Sequence, residues 1–305
     1  MEDFSALAKR LSNWGRWGKD DERGTTNLIT PERLVAAARL VKQGKVFDLG
    51  IPFAADGPQP GGPRVNPVHL MSATGANQNF PGGFRYADDY VFMPLQSATQ
   101  WDGLAHVFYG DQLYNGFPVS DVTPNGALHD AIDKQAKGIA GRGVLLDVAA
   151  LMGVPWLAAG TVITPADLEA AMKRQGGVAV GPGDILLFRT GWRRMYLERK
   201  NAAEFMGHEP GLGVACCEWL RERDVAAVCS DNYAIEVIPN EDPNVMMPVH
   251  MILIRDMGMT LGEIFDLEEL ATDCAKDGVF EFFFTAPPLK VSRAVGSPIN
   301  PLAIK

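Results

Sequence analysis

The stretch Gln96-Ser97-Ala98-Thr99-Gln100-Trp101-Asp102-Gly103-Leu104-Ala105-His106 places a carboxylate, an imidazole and two carboxamides within eleven residues. In extended backbone, successive side chains alternate between faces. Gln96, Gln100 and Asp102 would then share one face, and Trp101 would point the other way. Gly103 permits a bend that returns His106 toward Asp102. An acid and an imidazole so arranged can bind a metal or exchange a proton. Two later residues have the same character. His250 stands in the apolar run Pro248-Val249-His250-Met251-Ile252-Leu253-Ile254, and Glu263 in Gly262-Glu263-Ile264-Phe265. A histidine or glutamate in such surroundings is costly unless it is paired or metal-bound. Taken alone, these two read first as a hydrogen-bonded core histidine and a helix-end carboxylate.

Elements that position these residues can be read around them. Tyr90-Val91-Phe92-Met93-Pro94-Leu95 is a strand candidate that feeds the motif. Beyond His106, the stretch Phe108 to Phe117 is rich in aromatics, and its Gly-Asp and Asn-Gly pairs mark turns. Phe108, Tyr109, Tyr114 and Phe117 either wall the site or anchor their own loop. Strands are expected at 46–49, 143–148, 183–189, 225–231 and 279–284. Helices are expected at 4–12, from Thr30-Pro31-Glu32 to about Lys42, from Thr164 with Asp167 in capping-box position, at 214–223, and from Asp266 with Glu269. This alternation argues for an α/β fold with both sheet faces covered. Asp147 and Arg189, near strand ends, read as a structural ion pair or turn residues ahead of a functional role. Residues 54–89 are rich in Gly, Pro, Asn and Ala and read as a long loop or an excursion with short strands. His69, between Val68 and Leu70 in that region, reads as a packed histidine.

The 305 residues are 47% hydrophobic, enough for a large core, and carry 28 Lys+Arg against 37 Asp+Glu, a formal charge of −9. An acidic chain without a basic run is a poor partner for nucleic acid or an anionic membrane. No apolar run is long enough to span a bilayer, and the acidic start Met1-Glu2-Asp3-Phe4 lacks signal-peptide order. Cys216, Cys217, Cys229 and Cys274 form no CxxC pair and read as reduced core thiols, which suggests the cytoplasm. There is no HExxH, no GxGxxG after a strand, no GxxxxGK and no GxSxG, so two common cofactor classes and the serine-hydrolase elbow are not signalled.

The chain resembles the cyclase-family metal-dependent hydrolases, a family that includes bacterial kynurenine formamidase and isatin hydrolase. The resemblance runs from about Leu49 to the C-terminus. It rests on the opening motif, Gly143-Val144-Leu145-Leu146-Asp147, the segment from Gly183 to Trp192, Pro210-Gly211-Leu212, Pro248-Val249-His250, Glu263-Ile264-Phe265-Asp266-Leu267 and Gly296-Ser297-Pro298. The family motif His-x-Gly-Thr-His-x-Asp-x-x-x-His falls on Gln96, Ala98, Thr99, Gln100, Asp102 and His106. Two imidazole ligands are therefore replaced by carboxamides, which are weak, uncharged donors to zinc.

The resemblance implies a single α/β domain of the swivelling β/β/α type with a mixed β-core. It implies one divalent metal ion, zinc or manganese, held by Asp102, His250 and Glu263, with His106 as the catalytic proton carrier. Gln96, Gln100, Trp101, Phe108, Tyr114 and His208 are the expected substrate contacts or weak metal ligands. The expected activity is hydrolysis of a small amide, cyclic amide or lactone through a metal-activated water. The alternatives are a metal-dependent lyase, isomerase or cyclase, and a metal-free ligand-binding member. Residues 1–45 are expected to form a helical arm packed on a hydrolytic domain spanning 46–305, with Trp14 and Trp17 in a candidate subunit arm. The expected partners are a small-molecule substrate and further copies of the chain in a homodimer or homotetramer.

Overall fold

Runs such as Val144-Leu145-Leu146 and Ile185-Leu186-Leu187-Phe188 have no polar face, and strands of this kind need cover on both sides. A computed structural model describes residues 3–305, and among them nine strands form one mixed sheet. In chain order they are β1 (Val46–Asp48), β2 (Gln100–Asp102), β3 (Ala140–Asp147), β4 (Ile185–Arg189), β5 (Ala227–Ser230), β6 (Thr260–Glu263), β7 (Glu281–Thr285), β8 (Gly296–Pro298) and β9 (Leu302–Ile304). Across the sheet the order is β1-β9-β7-β3-β4-β5-β6-β2-β8. The central strands β3, β4, β5 and β6 run parallel, and every pairing outside them is antiparallel. This is the single α/β domain with a mixed β-core that the resemblance implies.

Alternation sorts the two sides. Val144, Leu146, Leu186, Phe188, Val228 and Leu261 pack with Leu168, Cys216, Leu220 and Ile252, whereas Leu145, Ile185, Leu187 and Cys229 pack with Leu270, Cys274, Phe282 and Phe284. The helices begin as their caps dictate. Thr30 accepts from the Arg33 amide at the start of helix Pro31–Ala38, and Thr164 and Asp167 form a reciprocal capping box at helix Pro165–Arg174. The expected box at Asp266 does not form. Helix Glu268–Asp277 begins two residues later and has no side-chain cap, and the Glu268 carboxylate is held by Arg189 instead. Arg189 also pairs with Asp147 at 3.0 Å.

One region departs from the sequence reading. The strand candidate at 90–95 does not join the central sheet. Asp88–Phe92 pairs with Val68–Ala73 in a separate antiparallel ribbon, with a bulge between Met71 and Ala73 and no buried strand residue. His69 is consequently exposed rather than packed, and it pairs with Asp89 at 2.7 Å. The N-terminal segment, by contrast, is fastened to the chain's own core. Helix Phe4–Leu11 buries Leu7, Ala8 and Leu11. Asn13 Nδ2 donates to the Met257 carbonyl and the Trp14 indole N–H to the Arg255 carbonyl, which braces the end of the helical segment that begins at Pro248.

Candidate metal centre

Strand β2 lies between β6 and β8, with Gln100 opposite Glu263, Trp101 opposite Gly262 and Asp102 opposite Leu261. The period of a strand therefore puts Gln100, Asp102 and Glu263 on one face and Trp101 on the other. Trp101 fills the opposite core layer. Its indole N–H donates to the Ala286 carbonyl at 2.7 Å, and its ring packs edge-on against Phe265 and Phe284. Gly262 is required there, because a Cβ would stand 2.7 Å from the Trp101 ring and from Cys229 Sγ.

His250 reaches the same face from another element. Pro248–His250 is a helical turn that continues into the π-helix Met251–Asp256, a wide-turned form frequent at functional sites. Each of Asp102, His250 and Glu263 offers one ligand atom to a group in which all three lie within 4.8 Å of one another, and all three are buried. His250 Nε2 is 3.1 Å from Glu263 Oε1 and 3.8 Å from Asp102 Oδ2. The other ring nitrogen is fixed: Nδ1–H donates to Glu236 Oε1 at 2.6 Å, and the His250 backbone N–H donates to the same oxygen. Nε2 is thereby directed at the carboxylates, the arrangement that orients a metal-binding histidine.

Burial alone would lower the pKa of His250, but its hydrogen bonds to Glu236 and Glu263 overcome this and raise it well above the ordinary value. Burial and the Glu263 charge push Asp102 up to about 6. Two carboxylates and an imidazole crowded together out of water, one acid driven toward protonation, form a donor set that fits a divalent ion and leaves coordination positions open.

His106 comes back beside Asp102 as the motif suggests, with Nε2 3.5 Å from Asp102 Oδ1. Gly103 serves by close approach and not by a special φ: a Cβ there would meet the Val295 carbonyl at 2.9 Å. Burial lowers the His106 pKa. The two carboxamides differ. Gln100 Nε2 donates to Glu263 Oε2 at 2.7 Å, whereas Gln100 Oε1 and Gln96 Nε2 are buried without partners. Buried polar atoms without partners call for a ligand or water.

Phe108, Tyr114 and His208 are not brought to this cluster. Phe108 packs with Ala105, Leu113, Ala127 and Ala131. Tyr114 is fully buried, and its hydroxyl contacts Asp21 Oδ2 at 3.1 Å, so the aromatic stretch anchors its own loop against the N-terminal segment. His208 is exposed at the end of helix Ala202–Gly207.

Three other residues stand at the site. Glu236 is the partner of His250. The Glu209 carboxylate is fully buried; one oxygen accepts from the Tyr233 N–H at 2.6 Å, the other has no partner, and burial raises its pKa well above the usual range. Arg64 reaches in from the 54–67 loop: Nη1 donates to Tyr233 Oη at 3.2 Å, and Nη2 lies 3.4 Å from His106 Nε2. Glu236 carried a hint, as a lone acid within the apolar segment Ala234-Ile235-Glu236-Val237-Ile238.

A mixed sheet carrying a buried two-carboxylate, one-histidine cluster defines the class, and residues 47–237 match the family model described as putative cyclase. The chain belongs to this putative cyclase family. It is 30% identical over 249 residues to isatin hydrolase from Roseibium aggregatum, a match that covers 79% of this chain and 81% of that protein. A crystal structure of a novel cyclase is 44% identical, covers 96% of this chain and 99% of its own, and superposes with a TM-score of 0.90. Isatin hydrolase A from Labrenzia aggregata, 18% identical with coverage of 89% and 97% and a TM-score of 0.62, shares the fold.

Proposed function

We propose that this chain is a metal-dependent hydrolase of a small amide, cyclic amide or lactone, a class that includes formamidase-type cleavage. The observation that carries the reading is the convergence of Asp102, His250 and Glu263 ligand atoms within 4.8 Å, with the His106 imidazole against Asp102. The 30% identity to isatin hydrolase supports it. Zinc or manganese is the metal this donor set favours. A divalent ion bound there supplies a Lewis acid that polarises a carbonyl and acidifies water, toward a pKa of about 7 in zinc enzymes.

The chain's own residues supply the rest. Asp102, His250 and Glu263 hold the ion, Glu236 fixes the His250 tautomer, and Gln100 orients Glu263. His106, sheltered from solvent, takes the proton of the attacking water and delivers it to the leaving nitrogen or oxygen. The partnerless Gln100 Oε1 and Gln96 Nε2 support a role for both carboxamides in contacting polar groups of the substrate.

The test combines metal analysis with turnover in ¹⁸O-labelled water. Protein purified without chelator should hold metal and incorporate solvent oxygen into the product. His106→Ala should keep the ion and lose roughly 10²–10⁴-fold in rate. Equal activity in that variant, or a product without solvent oxygen, would overturn the assignment and favour a lyase or isomerase.

We further infer a homodimer or homotetramer. The 68–92 ribbon supports this with a row of exposed large apolar side chains, among them Phe84, Tyr90 and Phe92 at 61%, 55% and 69% exposure. Residues 1–45 act as an arm on the 46–305 hydrolytic unit. Four buried, unpaired cysteines support a reducing compartment such as the cytoplasm. Among the described residues, no helix is long and apolar enough to cross a membrane.

A further inference from the structure

Arg64 is held in place without a counterion. Its guanidinium contacts are the Tyr233 hydroxyl, the Gln96 carbonyl at 3.5 Å and the His106 ring. Among the described residues, no carboxylate forms an ion pair with it. Elsewhere in the chain the guanidinium groups of Arg142, Arg189 and Arg255 each grip a carboxylate. The loop that carries Arg64 is fastened on both sides of it. The Gln59 N–H donates to Asn66 Oδ1 at 2.9 Å, Asn66 Nδ2 donates back to the Gln59 carbonyl, and Gln59 Nε2 ties the loop to the Ser97 carbonyl in the central motif. The Tyr233 hydroxyl is also within 3.2 Å of Gln59 Oε1.

A half-buried cation costs free energy unless it meets a negative charge. Burial works against the Arg64 charge, but Tyr233, Glu263 and Asp102 outweigh it and raise the Arg64 pKa, although neither carboxylate forms an ion pair with it. An ion held by those two carboxylates would neutralise them and leave the Arg64 charge to be met by another anion.

We infer that Arg64 binds a carboxylate carried by the substrate next to its scissile carbonyl, so that the preferred substrates are anionic amides or lactones. This rests on the hydrolase reading of the same site. The planar guanidinium offers paired N–H donors that match a carboxylate, and its place beside His106 puts that carboxylate adjacent to the reacting group.

The test uses benzoate and its neutral isostere benzamide as probes, titrated by calorimetry into wild type, Arg64→Met and Arg64→Lys, each as purified and again after chelation. Metal content and circular dichroism are recorded for each. Wild type should prefer benzoate. Arg64→Met should lose about 10- to 100-fold in benzoate affinity with little change for benzamide, and Arg64→Lys should fall between. A folded Arg64→Met protein with wild-type benzoate preference overturns the proposal and leaves the hydrolase reading standing. An Arg64-dependent preference in a protein that holds no metal supports the anion site and counts against the hydrolase reading alone.

Discussion

Glu236→Gln should weaken metal binding without touching a ligand. Glu236 is 1% exposed, and each of its oxygens accepts two hydrogen bonds. Oε1 takes the His250 backbone N–H at 2.8 Å and Nδ1–H at 2.6 Å; Oε2 takes the Val249 N–H at 3.2 Å and Asn240 Nδ2 at 2.9 Å. A glutamine keeps one acceptor oxygen. If that oxygen stays with His250, the new NH₂ faces two donors, and both bonds are lost. If the amide turns the other way, Nδ1–H of His250 loses its acceptor and the ring is freed to adopt the wrong tautomer. Either outcome costs about 1–3 kcal/mol of folding stability. Loss of the charged partner of a ligand histidine lowers metal affinity by about 10- to 100-fold, equivalent to about 1.4–2.7 kcal/mol. Competition against a chromophoric chelator reads the affinity for zinc and manganese, and urea unfolding of the metal-free protein reads the first effect separately. A folded Glu236→Gln protein with wild-type affinity for both ions would refute the claim that Glu236 directs Nε2 at the metal.

Two further expectations are independent of that chemistry. Asp130 is buried among Glu22, Asp21 and Asp121 with only Lys134 to offset them, and burial first, then those charges, raise it from 3.8 to about 8. The folded chain therefore keeps a proton that the unfolded chain has released, so stability falls as pH rises from about 4 to about 8. Asp130→Asn, which tolerates the positive φ of 58° at this position, should flatten that slope in urea titrations across the range; an unchanged slope would contradict the burial argument. Replacing Phe84 and Phe92 with Ser should yield a smaller assembly by light scattering, with the metal content of wild type. A monomeric wild-type chain would remove the basis for reading the ribbon as a subunit contact.

What was legible in the sequence was local. Alternation along an extended segment is a geometric necessity, so Gln100 and Asp102 on one face, Trp101 on the other and His106 within reach followed from eleven residues. The same alternation excludes Trp101 from the cluster and gives it to the Phe265–Phe284 layer, against its expected place beside the substrate. Aromatic composition alone could not separate a pocket wall from a loop anchor, and Tyr114 proves to be an anchor. The parallel strands were legible because burial on both faces removes polar positions. Arg64 was invisible because it is brought in by tertiary folding from a loop whose local pattern has no period. The 68–92 ribbon was legible only as an excursion with short strands, because exposed strands lack the buried face that produces a readable alternation.

The Gln100 carboxamide has a definite physical sense. A carboxamide N–H donates at any pH, so Gln100 holds the Glu263 carboxylate in place whether or not an ion is bound. Glu236 does the same for His250, and Gln100 Nε2 also reaches Asp102 Oδ1 at 3.5 Å. Each of the three candidate ligands thus has a hydrogen-bonded neighbour, and they come from β2, β6 and the helical turn at Pro248, elements joined through the core rather than through a loop. Backbone strain lies at the same places. Ile235, just before Glu236, and Ile264, just after Glu263, both have φ of 58°, a region β-branched residues avoid at a cost of about 1–3 kcal/mol each. Asn232 pins both: its side-chain oxygen accepts from the Ile235 N–H and its carbonyl from the Ile264 N–H. The fold therefore spends stability to set two carboxylates before any ion arrives, which is what a site with few ligands needs if the ion is to be held in one geometry while a substrate takes the positions left open.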